Sequence, residues 1–203
     1  MRLLRSTLVL AVAAAIGAAA FAEPQTQSAP AAGDQQARPA PTRRSPHETI
    51  STVIGDRRTG NRVTIVYGRP YTKDPRSGEP RKIWGSLVPY GKVWRTGADE
   101  ATLFITQKPV VFGQVTIPAG AYTLFTLPAE DGTAKLIFNK QLGQWGLQYD
   151  ETQDLARIDL KKEALETPVD QFTMAIEKSP DGGGILKLIW ENTQYSAPFT
   201  VVQ

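Results

Sequence analysis

Apolar and polar side chains alternate along much of this chain. Val63, Ile65 and Tyr67 are interleaved with Thr64 and Val66, and Ala156, Ile158 and Leu160 with Arg157, Asp159 and Lys161. Phe172, Met174 and Ile176 alternate with Thr173, Ala175 and Glu177, and Leu186, Leu188 and Trp190 with Ile185, Lys187 and Ile189. A period of two sends successive side chains to opposite faces of a strand, so each segment offers one face to a core. This is the mark of half-buried antiparallel strands. Further strands are expected at 48–54, 101–106, 109–112, 115–117, 121–127, 134–139 and 195–202. Turn chemistry separates them, as at Gly55-Asp56, Pro118-Ala119-Gly120, Asp131-Gly132 and Pro180-Asp181-Gly182. About ten short strands, with no amphipathic helix of three turns, predict an all-β antiparallel sandwich with little helix. Short helical turns are expected near 86–92 and 140–145, and residues 161–167 read either way.

Two stretches break the period. Residues 68–100 carry little strand signal, and residues 139–153 are the second irregular segment. A connection as long as the first is usually functional or packed on itself. Its second half runs Arg81-Lys82-Ile83-Trp84-Gly85 to Val93-Trp94-Arg95-Thr96-Gly97-Ala98-Asp99-Glu100, the densest mixture of aromatic, charged and turn residues in the chain.

The N-terminus has a different character. Arg2 and Arg5 precede an uncharged run from Leu8 to Ala22, and Ala20-Phe21-Ala22 supplies a small-x-small cleavage pattern. Residues 1–22 are therefore expected to be a secretory signal cut before Glu23. Residues 23–44, rich in Ala, Pro, Gln and Thr, read as a disordered linker, with the folded domain spanning 45–203. The expected location is the periplasm or the extracellular space. The apolar run is too short for a membrane span, so no stable membrane insertion is expected. There is no Cys, so disulfides, thiolate metal sites and a Cys nucleophile are excluded. Without Arg2 and Arg5, 21 basic residues face 20 acidic ones, which gives no electrostatic case for nucleic acid.

A series of short motifs runs through the expected domain. They are Ser45-Pro46-His47, Tyr67-Gly68-Arg69-Pro70, Lys82-Ile83-Trp84-Gly85, Leu87-Val88-Pro89-Tyr90-Gly91, Val93-Trp94-Arg95-Thr96-Gly97-Ala98, Pro118-Ala119-Gly120, Phe138-Asn139, Gln144-Trp145-Gly146 and Trp190-Glu191-Asn192. In this order they resemble the bacterial family catalogued as domain of unknown function 2911. The resemblance implies an exported, mostly β domain and supplies no activity. Relatives often carry Asn at the position of Asp99, which weakens any mechanism that needs a carboxylate there.

Catalytic sets are sparse. His47 is the sole His, sits in no Gly-x-Ser-x-Gly context, and reads as a surface or capping residue. With no thiolate it makes a poor zinc set even beside Asp99 or Glu100, so no metal or other cofactor is expected. Asp99 and Glu100 are the best carboxylates for acid–base work. Glycoside hydrolysis needs two carboxyls facing each other about 5 to 9.5 Å apart. Neighbours on an extended chain point apart, so a partner such as Asp150 or Glu191 would have to come from elsewhere. The structural alternative is that Arg69 or Arg95 ties the loop to one of these carboxylates.

Binding is the better-motivated function. Trp84, Tyr90, Trp94 and Trp145 lie in or beside the irregular segments, and Arg69, Arg95, Asp99 and Glu100 could anchor a ligand between such rings. Trp84 and Trp94 could equally be core, and Trp190 reads as core because it alternates with Leu186 and Leu188. The expectation is a non-enzymatic module for a small glycan or peptide. A carboxylate-dependent hydrolase using Glu100 or Asp99, and a purely structural envelope or interaction protein, are the alternatives.

Overall fold

The computed structural model describes residues 43–202. The expected signal segment, and the expected linker apart from Arg43 and Arg44, lie outside them. Nine strands form one antiparallel ladder in the order β1-β2-β3-β6-β7-β8-β9-β4-β5. They are β1 (His47–Ile54), β2 (Asn61–Gly68), β3 (Thr102–Thr106), β4 (Val110–Phe112), β5 (Val115–Ile117), β6 (Gly120–Pro128), β7 (Ala134–Asn139), β8 (Asp154–Lys178) and β9 (Gly184–Val201). The all-β antiparallel architecture expected from the period is present.

The ladder folds over on itself. The first part of β8 pairs with β7 through Asp154–Leu160, and Lys161–Ala164, Val169 and Thr173–Lys178 pair with β9. The end of β9 then pairs with β4. Side chains from the two halves meet in one core, where Phe112 of β4 packs on Phe138 of β7 at 5.4 Å and Tyr67 of β2 on Phe172 of β8 at 5.8 Å. Each fully buried ring or branched aliphatic contributes roughly 1.5–3 kcal/mol over its exposed state. With no disulfide available, this core is what holds the fold.

Three local expectations change. Residues 156–160 and 172–176 are parts of one strand, because the chain stays extended through the ambiguous 161–167, with Lys161–Ala164 paired to β9. Nothing from Lys161 to Gln171 is buried, so neither face there carries an apolar period. Pro168, which has no N–H to donate, falls where the β8–β9 register shifts between Ala164 and Val169. The expected strands 186–190 and 195–202 likewise merge into β9, which ends at Val201, so the described residues form nine strands. The third change concerns the helical turns. Near 86–92, Val88 donates to Ile83 O and Gly85 to Val88 O, each at 2.9 Å, which closes a loop without a helical ladder. The 140–145 segment is also irregular, and the one helical turn among the described residues is a 3₁₀ turn at Glu151–Gln153, capped by the Asp150 carboxylate.

Candidate functional site

The two irregular segments lie against each other. Gly146 N donates to Asp99 O at 3.0 Å, Ala101 N to Gln144 O at 3.3 Å, and Glu100 forms an isolated bridge with Trp145. Gly146 makes this approach feasible. A Cβ there would stand 2.7 Å from Arg95 Cβ and 2.8 Å from Asp99 O. A second close crossing lies at Gly68, where a Cβ would run into the Ala98 backbone. The motifs Tyr67-Gly68-Arg69 and Gln144-Trp145-Gly146 thus brace the Thr96–Glu100 turn from two sides.

That turn is strained. Thr96 and Asp99 are two of the three non-glycine residues with positive φ among the described residues, at 52° and 65°. Left-handed backbone costs an L-residue about 1–2 kcal/mol, and a β-branched Thr is an uncommon occupant. The surroundings hold it in place. Thr96 Oγ1 meets Thr126 Oγ1 at 2.7 Å, and Thr102 Oγ1 donates to Thr96 O at 2.7 Å, all below the surface. Strain of this kind collects at functional sites.

Asp99 faces His47, with 2.9 Å between Oδ2 and Nε2. His47 is therefore not a free surface or capping group. Its side chain is 20% exposed and opposes the adjacent carboxylates, with Glu100 Oε2 at 3.7 Å. Arg43 pairs with Glu100 Oε1. His47, Glu100 and Gln144 line a small cavity of about 220 Å³. Within the Gln144 amide the orientation is fixed. Thr123 Oγ1 spends its proton on Gln141 O, so the Gln144 Nε2 must donate to it, which leaves Gln144 Oε1 buried without a partner among the described residues.

The larger cavity, about 540 Å³, is framed by both irregular segments and floored by Trp190 of β9. Its charged lining is Arg44, Asp74, Arg81, Lys92, Arg95 and Asp99. Apolar walls come from Pro70, Leu87, Val93, Trp94 and Leu147. Burial pulls the Arg95 guanidinium below its ordinary range, and the Asp99 charge partly restores it. Arg95 Nη1 donates to Asp99 O at 3.0 Å, while its guanidinium stands 5.9 Å from the Trp145 ring centre.

The expected site residues separate into groups. Trp94, Arg95 and Asp99 line the larger cavity, and Glu100 lines the smaller one. Trp94 is also core, 9% exposed, stacked on Trp190 at 5.8 Å and edge-on to Phe172 at 5.1 Å. Trp84 packs edge-on against Trp94 and Tyr195, away from the larger cavity, with its indole N–H buried and without a partner among the described residues. Tyr90 and Trp145 are exposed, the latter 43%, and neither lines that cavity. Arg69 lies apart from these groups. It pairs with Glu48 at 3.2 Å and donates to Phe172 O and Thr173 Oγ1, so it reaches neither Glu100 nor a cavity anion. Pro70 after it keeps the chain extended, and that extension carries the guanidinium across to β8.

Sequence reasoning passed over Arg81, Leu147 and Gly146. Arg81 opens the dense block but is one of several cations there, and Leu147 follows the Gln-Trp-Gly motif with no period to mark it. Asp150 is spent capping the 3₁₀ turn, and Glu191 lines a separate shallow cavity, so neither opposes Glu100. Among the described residues no three His, Asp or Glu side chains form a set fit for a metal ion, and no helix is long and apolar enough to cross a membrane. No curated protein and no solved structure matches the chain. Residues 45–199, most of the chain and the whole of the motif series, match the family described as "Protein of unknown function (DUF2911)", and the chain belongs to that family.

Proposed function

We propose that this chain is an exported, non-enzymatic binding module whose site is the cavity framed by residues 68–100 and 139–153. One observation carries the reading. The two segments without strand character are hydrogen-bonded to each other and enclose a space of about 540 Å³ with aromatic and aliphatic walls and several charged groups. Small-molecule sites have this size and this mixture. A strained turn held beside the cavity keeps Arg95 and Asp99 in fixed positions, which lowers the ordering cost of binding.

Screening the full chain against glycan and short-peptide libraries by ligand-observed NMR tests the reading. Specific binding of one class, displaced by a substitution at Arg95, is the expected result. If no ligand binds, and Trp84→Ala and Trp94→Ala do nothing but unfold the protein, the block is structural and the reading fails. Export is tested separately by the N-terminus of the protein recovered from its own cells, expected at Glu23. A retained Met1 refutes it. The hydrolase alternative gains no support from the geometry. Asp99 is engaged by His47, Glu100 by Arg43, and Asp150 and Glu191 lie outside the cavity.

A further inference from the structure

Building on the binding reading above, we propose that the larger cavity takes a ligand with a carboxylate at one end and an apolar body, the carboxylate meeting Arg81 and Arg95. The charges in the lining are unequal. Four cations, Arg44, Arg81, Lys92 and Arg95, share it with two carboxylates, Asp74 and Asp99. Both carboxylates already have partners. Asp74 accepts from the backbone N–H groups of Arg76 at 2.8 Å and Ser77 at 3.1 Å, and these hold it below its ordinary range, with the Arg81 charge a smaller cause. Asp99 is held by His47 at 2.9 Å.

The two arginines are underused. Arg81 donates from Nη2 to Tyr71 O, and no carboxylate of the described residues lies within ion-pair distance of it. Arg95 has its bond to the Asp99 carbonyl, and no carboxylate of the described residues lies within ion-pair distance of it. A half-buried guanidinium that no carboxylate neutralises favours a planar anion. An arginine fork matches a carboxylate in shape. The rest of the lining fits a body that is not charged. Leu87 and Leu147 are 42% and 77% exposed at the rim, and Trp94 forms a wall further in. A neutral glycan would leave the guanidinium groups as they are. Two sources carry this chemistry, the C-terminus of a short apolar peptide or a free medium-chain organic acid.

The test uses the full chain and reads intrinsic tryptophan fluorescence, since Trp94 and Trp190 line the cavity. The probes are the tripeptide Ala-Leu-Phe and octanoate, each beside its neutral counterpart, the amidated tripeptide and octanamide. The expected result is saturable binding of a carboxylate form at least tenfold tighter than its amide, about one charge-assisted hydrogen bond. Binding by the tripeptide alone identifies a peptide end, and binding by octanoate alone an organic acid. Arg81→Gln and Arg95→Gln should each cost the carboxylate form about tenfold and leave the amide unchanged, with Arg81→Lys partly restoring affinity. Acid and amide binding equally well overturns the inference while the binding reading stands. No saturable binding by either acid, alongside a glycan hit at this cavity, also overturns it. Silence from every probe and from both libraries removes the binding reading itself. The acid–amide comparison is made on the unaltered chain, so it holds even if a variant fails to fold.

Discussion

Replacing Gly146 with Ala tests whether the two irregular segments really touch. The new methyl would lie 2.7 Å from Arg95 Cβ and 2.8 Å from Asp99 O, with Arg95 Cδ nearer still. Carbon atoms in good contact sit about 3.5–4.0 Å apart. The outer part of Arg95 can swing away. Its Cβ and the Asp99 carbonyl cannot, because the Gly146 N–H bond to Asp99 and the Glu100–Trp145 bridge fix both backbones. Overpacking of this sort costs about 1–3 kcal/mol. Restricting the unfolded chain by a Gly-to-Ala change returns about 0.4–1 kcal/mol where the backbone allows it. The net loss should be about 1–2 kcal/mol, which for a domain of this size lowers Tm by about 2–8 °C. Urea and thermal melts of Gly146→Ala, Arg95→Ala and the double variant measure it. Arg95→Ala removes Cγ and everything beyond, so the double variant should lose about 0.5–1 kcal/mol less than the sum of the singles. A Gly146→Ala protein as stable as the parent, or strict additivity with Arg95→Ala, would refute the proposed contact.

Three further outcomes are expected. Trp94→Ala should cost about 3–5 kcal/mol, because it empties the stack on Trp190 and Phe172, whereas Trp145→Ala should cost under about 1 kcal/mol; similar losses in chemical denaturation would contradict the placement of the two rings. Asp99→Asn should cost under about 1 kcal/mol, since Asn accepts left-handed backbone, and Asp99→Val about 2 kcal/mol or more; equal urea midpoints would count against the φ of 65°. Tyr67, Tyr149 and Tyr195 are each pushed up to about 12, chiefly by burial. Their folded values exceed the ordinary value near 10, so their contribution is whole below about pH 10 and is lost as pH rises through about 12. Tyr67→Phe should also strand the Met174 N–H that now bonds its hydroxyl at 3.0 Å, at about 1–3 kcal/mol, and a flat stability curve from pH 9 to 12 would argue against buried phenols.

The strands were readable wherever one face is buried. Val63, Ile65 and Tyr67 announce β2 because each second residue enters the core, and Trp190 was assignable for the same reason. The middle of β8 was not readable, since both faces of Lys161–Pro168 meet solvent or are only partly covered. Pairings across the irregular segments were hidden by a different cause. His47 and Asp99 are 52 positions apart, and Arg69 and Thr173 are 104 apart. Such contacts depend on how the ladder folds over, which no local period encodes. Arg69 shows the cost of reasoning locally, because its partner Glu48 lies on the neighbouring strand and its direction is set by Pro70. The neighbourhood of the cavity could be found from the density of rings and ions, but the orientation of each loop side chain could not.

β8 pairs into both halves of the ladder, and this governs how the protein comes apart. Neither half has a complete set of neighbours without that strand, so a protease nick within 154–178 withdraws support from both at once. Denaturation should accordingly show a single cooperative step, and fragments divided at the Ser179–Gly183 turn should regain structure only when mixed.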